Sequence, residues 1–259
     1  MNAEVTKAYF KHEKVCVVIP TFNNDQTVAD VIRQVMDYCD DIIVVNDGST
    51  DTTGEALRLL PDSITIVAHI TNRGKGKALT TGFRTALAQG FRYAITLDAD
   101  GQHFASDLPL FAEALTNHPD TLIVGSRQFG LPNMPQKSSF ANRFSNFWFT
   151  VQTGKRLPDT QTGFRLYPLH KMGRMKLVSS RYEAELALLV RSAWRGIPIL
   201  SMPINVYYPP KEERVSHFRP GWDFFRISVL NAYFTFAAIL YGYPTKLIRY
   251  IKVKLKTEN

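Results

Sequence analysis

Tyr93-Ala94-Ile95-Thr96-Leu97-Asp98-Ala99-Asp100-Gly101-Gln102-His103 is the most informative stretch of this chain. An apolar run bounded by turn residues reads as a buried strand. It ends in two carboxylates two residues apart, then Gly101 and an amide. Carboxylate and amide oxygens suit Mg²⁺ or Mn²⁺, and such ions complete their shell with phosphate oxygens. An Asp-Ala-Asp closing a strand therefore reads as a holder for a metal diphosphate. A solvated acidic loop would show the same letters, so the flanking segments must decide.

Upstream, Val15–Ile19 reads as a first buried strand that breaks at Pro20-Thr21-Phe22-Asn23-Asn24. A helix is expected from about Thr27 to Tyr38, striped by Val28, Val31, Ile32, Val35 and Met36 and capped by Asn24 or Asp25. Ile42–Val45 is a second strand, ending in Asn46-Asp47-Gly48-Ser49-Thr50-Asp51. A helix to Leu60 and a strand at Ile64–Ala68 follow. Thr71-Asn72-Arg73-Gly74-Lys75-Gly76-Lys77 then leads into a helix stopped near Gly90. Downstream come a helix from Ser106 to about Asn117, a strand at Thr121–Gly125, and helices over Phe140–Val151 and Arg181–Arg195. The strand expected at Ile197–Tyr208 carries Pro198 and Pro203 and so belongs near an edge. Strand and helix alternating at this spacing predict an α/β protein, a mainly parallel sheet covered on both faces. Ligands of such sheets sit in the crevice at the carboxyl ends of the strands. The acidic, amide and glycine-rich loops of the first half all fall at such ends.

Each loop suggests its own chemistry. Asp47 could accept hydrogen bonds from a base imide or a ribose hydroxyl, or could cap the next helix. Gly74, Lys75 and their neighbours combine small residues with cations before a helix N-terminus, which suits phosphate. The spacing of a P-loop is absent.

The 259 residues allow one large domain or two small ones, with an ordinary globular composition and a formal charge of +8. Cys16 and Cys39 fall in a strand and at a helix end, which suits a reducing compartment. No charged segment followed by an apolar core opens the chain, so a cytoplasmic location is expected. From Lys211 onward nine Lys or Arg oppose four acids, a net +5 in 49 residues. Ile227–Thr245 is nineteen residues without a charge, roughly 28 Å as a helix. Aromatics (Trp222, Phe224, Phe225, Tyr233, Phe234, Phe236, Tyr241, Tyr243) crowd it, and Lys246–Lys256 alternates apolar and basic residues. This pattern predicts two helices lying on the cytoplasmic face of a membrane rather than a nucleic-acid surface. A core helix and a true span are the alternatives.

The ordered set Pro20-Thr21-Phe22-Asn23, Asn46-Asp47-Gly48-Ser49-Thr50-Asp51, Asn72-x-Gly74, Asp98-Ala99-Asp100 and Gly125-Ser126-Arg127 resembles the family 2 inverting glycosyltransferases of GT-A fold. Thr162-Gly163-Phe164-Arg165 is similar to a segment of their polyprenyl-phosphate mannose and glucose synthase branch. The resemblance covers about residues 14 to 220 and implies a glycosyltransferase domain over 1–220, with the aromatic and basic segment at 221–259. It implies a nucleotide-sugar donor (UDP or GDP) seated by Pro20, Thr21, Asn23 and Asp47, and Mg²⁺ or Mn²⁺ held by Asp98, Asp100 and Gln102. It further implies Arg127 and Arg143 facing phosphates, Arg214 on a closing loop at Lys211–Pro220, and an acid near the acceptor at Glu183. Asp159 is a candidate general base if the acceptor is a hydroxyl; a lipid phosphate needs none. The chain departs from the family at Asn46, where Asp is common, and at Asn24, where Glu is common. A sugar-phosphate nucleotidyltransferase and a membrane-bound scaffold without activity are the rival readings.

Overall fold

The computed structural model describes residues 1–127, 136–173, 183–208 and 220–257. Seven strands form one sheet: β1 (Val15–Thr21), β2 (Ile42–Asn46), β3 (Thr65–Ala68), β4 (Tyr93–Thr96), β5 (Leu122–Arg127), β6 (Arg165–Pro168) and β7 (Ile199–Ile204), in the order β3-β2-β1-β4-β6-β5-β7. Every pairing is parallel except those of β6, which runs antiparallel to both β4 and β5. The proline-bearing β7 is an edge, as its sequence predicts.

Helices cover both faces: α1 (Ala3–Glu13), α2 (Val28–Met36), α3 (Thr53–Arg58), α4 (Lys75–Ala88), α5 (Leu108–Asn117), α6 (Gln136–Thr153), α7 (Leu169–Met172), α8 (Glu183–Trp194), α9 (Pro220–Ala237) and α10 (Tyr243–Thr257). All seven residues of β1 are buried. Val15, Val17 and Ile19 join one apolar cluster with Phe10 of α1, Val31 of α2 and Phe111 of α5. Cys16 and Val18 join the other, with Leu79 of α4, Phe149 of α6, Leu189 of α8 and Phe234 of α9. A strand buried on both sides needs a continuous apolar run, and Val15–Ile19 supplies it.

Three features depart from the sequence reading. Helix α1 was not foreseen: it is stapled by Asn2, whose side chain accepts the Val5 N–H at 2.9 Å, and it buries only Thr6 and Phe10. Neither Asn24 nor Asp25 caps α2 with its side chain; the Asn24 carbonyl accepts the Val28 N–H instead. Strand β6 was likewise not foreseen.

At the C-terminus α9 and α10 are joined through a π-helical turn, Ala238–Gly242. Leu230, Phe234 and Ala238 are buried against α6 and α8, whereas Phe236, Ile239, Leu240, Leu247, Ile248 and Ile251 are exposed. Among the described residues no helix is long and apolar enough to cross a membrane. This continuous α9–α10 segment thus packs one face on the core, as the core-helix alternative expects, and leaves its other face bare.

Candidate active site

The strand order reverses between β1 and β4, and the loops leaving β1, β2 and β4 meet at that switch point. Pro20 and Thr21 are buried at the end of β1, and the Asp47 N–H donates to the Thr21 carbonyl at 2.8 Å. Asn23, in the left-handed region at φ 53°, ties its loop to the next. Its N–H donates to Ser49 Oγ at 3.0 Å and its Oδ1 accepts the Thr50 N–H at 2.9 Å.

Asp47 does not cap α3, nor does it present a free carboxylate to a nucleoside. It is buried, and both oxygens are taken by the protein. Oδ2 accepts the Gly74 N–H at 2.7 Å, while Oδ1 accepts the Arg73 N–H at 3.0 Å and lies 2.6 Å from His69 Nδ1. His69 is itself held by Thr81 Oγ1 at 2.9 Å. Gly48 makes this crossing possible: its φ is +72°, and a Cβ there would sit 2.4 Å from the Thr71 carbonyl carbon. Asp47 therefore fixes the shape of the Arg73-Gly74 turn that starts α4.

Lys75, the first residue of α4, reaches back between two acids. Its Nζ lies 2.7 Å from Asp98 Oδ1 and 3.1 Å from Glu185 Oε2. Burial opposes its charge, but the two carboxylates outweigh that and raise its pKa. Burial likewise opposes the charge of Asp98, and the Lys75 ammonium still holds that carboxyl below its usual range. Glu185 comes from α8; burial raises it, and its Oε1 has no protein partner among the described residues. Arg165 is fully buried beside them, donating to the carbonyls of Glu185 at 2.8 Å and Thr160 at 2.9 Å. Lys75 is thus an internal counter-ion rather than a free phosphate ligand.

Antiparallel β6 explains Gly163. Its N-terminal end lies beside the carboxyl end of β4, with Thr96 opposite Arg165 and Thr96 Oγ1 donating to the Gly163 carbonyl at 2.6 Å. A Cβ on Gly163 would fall 2.4 Å from Asp98 Oδ2 and 2.9 Å from Lys75 Nζ.

Asp159 does not fit the role of general base. It is fully buried, and Arg127 grips it in a fork, Nε to Oδ2 at 2.6 Å and Nη2 to Oδ1 at 3.1 Å. The N–H groups of Gln161 and Thr162 also donate to Oδ1. Burial would raise this carboxyl, but the Arg127 pair and these N–H donors hold it low. Arg143 is exposed on α6 and pairs with no carboxylate among the described residues. Glu183 opens α8, but its side chain lies outside the described residues, as do Arg214 and its whole loop.

Asp100 stands at the exposed rim. Desolvation of its carboxyl and the nearby Asp98 charge push it up to about 6. Its Oδ1 accepts the Gln102 N–H at 3.0 Å. Its other oxygen and the Gln102 side-chain amide have no protein partner among the described residues. Nor do the described residues hold a group of three or more His, Cys, Asp or Glu able to cage a metal. Two carboxylates and an amide are hard oxygen donors that fit Mg²⁺ or Mn²⁺ when a ligand brings further oxygens. Burial drops neighbouring His103 to about 4, so its ring is neutral at pH 7.

Glu185 was missed from the sequence. The clue was available: a glutamate inside the run Ala184–Val190, all of it buried, needs a buried cation. His69 carries no motif, and although Gly163 and Arg165 belong to the family-like segment, the close approach of the one and the buried bonds of the other depend on contacts across the sheet.

The fold and crevice define a GT-A-like α/β protein, with carboxylates poised over an internal lysine at the switch point. The chain belongs to glycosyl transferase family 2, whose profile matches residues 16–172. That makes it a glycosyltransferase and sets aside the nucleotidyltransferase and scaffold readings. It is 26% identical over 215 residues to a UDP-N-acetylglucosamine–dolichyl-phosphate N-acetylglucosaminyltransferase of Methanococcus voltae, covering 75% of this chain and 86% of that one. It is 28% identical over 205 residues to a polyprenol monophosphomannose synthase of Mycolicibacterium smegmatis, covering 74% and 77%. Among solved structures, glucosyl-3-phosphoglycerate synthase of Mycobacterium tuberculosis with Mn²⁺, UDP-glucose and phosphoglyceric acid superposes with a TM-score of 0.64 at 18% identity, covering 92% of this chain and 84% of that one. The last likeness concerns the fold alone.

Proposed function

We propose that the protein moves a sugar from a UDP- or GDP-sugar to a lipid acceptor, a polyprenyl phosphate or similar membrane amphiphile, with inversion at the anomeric carbon. The observation that carries this reading is the Asp98–Asp100 pair at the switch point, with Lys75 and Glu185 behind it. Asp98, Asp100 and Gln102 would hold Mg²⁺ or Mn²⁺, which when bound offsets the charge building on the leaving diphosphate. Pro20, Thr21, Asn23 and the Asp47-braced Gly74 turn seat the nucleotide, with Arg143 and Arg214 toward the phosphates. Lys75 keeps Asp98 ionised and in place. An acceptor oxygen attacks the anomeric carbon from the face opposite the diphosphate. The old carbon–oxygen bond breaks, and its electron pair leaves with the nucleoside diphosphate.

A phosphate acceptor is favoured over a hydroxyl because Asp159, the base expected for a hydroxyl acceptor, is spent on Arg127. An anionic phosphate has no proton to surrender. The bare apolar face of the continuous α9–α10 segment, flanked by the lysines of α10, would rest on the inner face of the cell membrane. The bounds 1–220 for the catalytic domain and 221–259 for the membrane-facing segment follow from this reading.

The test is consumption of a panel of UDP- and GDP-sugars with Mn²⁺, with and without membrane lipid extract, beside Asp100→Ala. One donor consumed only with lipid, and not by the variant, is expected. Consumption independent of lipid would overturn the acceptor assignment, and turnover by Asp100→Ala would overturn the metal role.

A further inference from the structure

Apart from the crevice, a largely apolar cavity ringed by cations lies beyond the C-terminal ends of α6 and α8 and under α10. It measures about 150 Å³ and is lined by Gln152, Lys155, Trp194, Tyr243, Lys246 and Arg249 among others, with no acidic residue. Trp194 lies nine positions beyond Glu185 on α8, about 14 Å of helix. This volume is below the ~300–1,000 Å³ of a drug-sized ligand site, so it suits a headgroup.

Among the described residues its charge has no acidic partner. Among the described residues no carboxylate pairs with Lys155, Lys246 or Arg249. Helix ends account for part of the positive charge. Arg249 donates to the Trp194 carbonyl at the end of α8, while its Nε reaches the Thr245 carbonyl one turn back within α10 at 3.3 Å; the helix C-termini at the cavity are those of α6 and α8. Each helix C-terminus offers about half a negative charge, so two ends offset about one cation of three. The remainder suits a phosphate.

Gly154 and Gly196 end α6 and α8 at φ +66° and +80°; a Cβ on the first would lie 3.3 Å from Lys246 Nζ, and on the second 1.6 Å from Arg249 Nη1. Both helix ends are thus bare backbone beneath cations of α10. Burial, followed by the charges of Lys246 and Arg249, lowers the pKa of Lys155, as expected where like charges converge without an anion. Beside the cavity, Leu247, Ile248, Tyr250 and Ile251 are exposed.

We propose that this cavity binds the headgroup phosphate of an anionic membrane phospholipid, as an anchor separate from the acceptor site. The inference rests on the reading that the α9–α10 segment lies on a membrane. The full-length protein would be titrated with phosphatidylcholine vesicles, with and without phosphatidylglycerol, using wild type, Lys246→Gln, Lys155→Gln and Lys252→Gln. Lys252 is an exposed α10 lysine outside the cavity, and one such charge near an anionic surface is worth about fivefold in binding. The expected result is about fivefold weaker binding for Lys252→Gln, and more than about tenfold for either cavity variant at unchanged melting temperature. Equal losses for all three would overturn the cavity while leaving membrane docking intact; wild type ignoring every vesicle would overturn docking itself. Inorganic phosphate that raises the melting temperature through Lys246, without vesicle discrimination, would reassign the site to a free anion and overturn the lipid.

Discussion

Gly163→Ala tests the site through its tightest contact. The new methyl would lie 2.4 Å from Asp98 Oδ2, and ordinary contact begins at 3.4 Å. The carboxylate must therefore retreat by about 1 Å, and misplacement of that order costs ~10²-fold in rate. The nearer option, rotating Asp98 toward Lys75, is closed because the same methyl sits 2.9 Å from Lys75 Nζ. Gly163 has a negative φ, so the backbone accepts alanine and the effect isolates the carboxylate. Overpacking of this kind costs ~1–3 kcal/mol. Two measurements belong together: kcat/KM for donor consumption, and the thermal midpoint. A roughly hundredfold fall in kcat/KM with only a few degrees lost is expected. A variant within twofold of wild type would refute the claim that Asp98 must stay where this structure holds it.

Two further outcomes follow from the buried charges. Lys75→Met strands Asp98 and Glu185 without their shared cation, and removing one partner of a buried ion pair costs ~3–5 kcal/mol; urea unfolding should show a loss of that size, and a loss under about 1 kcal/mol would contradict the network. Asp159 has its pKa depressed in the fold, so its contribution to stability is present above the unfolded value of 3.8 and is lost as pH falls through the lower folded value. Asp159→Asn should therefore be less stable than wild type near neutrality and converge with it in acid, and parallel stability curves across that range would count against the Arg127 pairing.

Much of the architecture was readable before any coordinates. Apolar runs such as Val15–Ile19 are long, uninterrupted and bounded by turn residues, so periodicity and punctuation both mark them. Placing Asp98 at a strand end required only that reading. Strand β6 escaped because Arg165-Leu166-Tyr167-Pro168 is four residues with a charge at one end and a proline at the other. It is a strand because β4 and β5 flank it, which is tertiary information. Helix α1 escaped because Phe10 is its single buried large side chain. The roles of Asp47 and Asp159 were misjudged for one shared reason. Residue type and loop position promise a carboxylate, but only contacts across many residues reveal whether protein groups have already claimed its oxygens.

The family profile ends at residue 172, yet the sheet and its core do not. Strand β7 covers the outer side of β5 along six paired positions, and α8 supplies Glu185 to Lys75 as well as Leu188, Leu189 and Val190 to the second core. The recognisable segment is consequently not a portable module. Grafting it into a chimera, or trimming the protein to it, would bare the edge of β5 and leave a buried lysine with one acid instead of two. Any exchange of parts between relatives must carry residues 183–204 along with the segment that gives the family its signature.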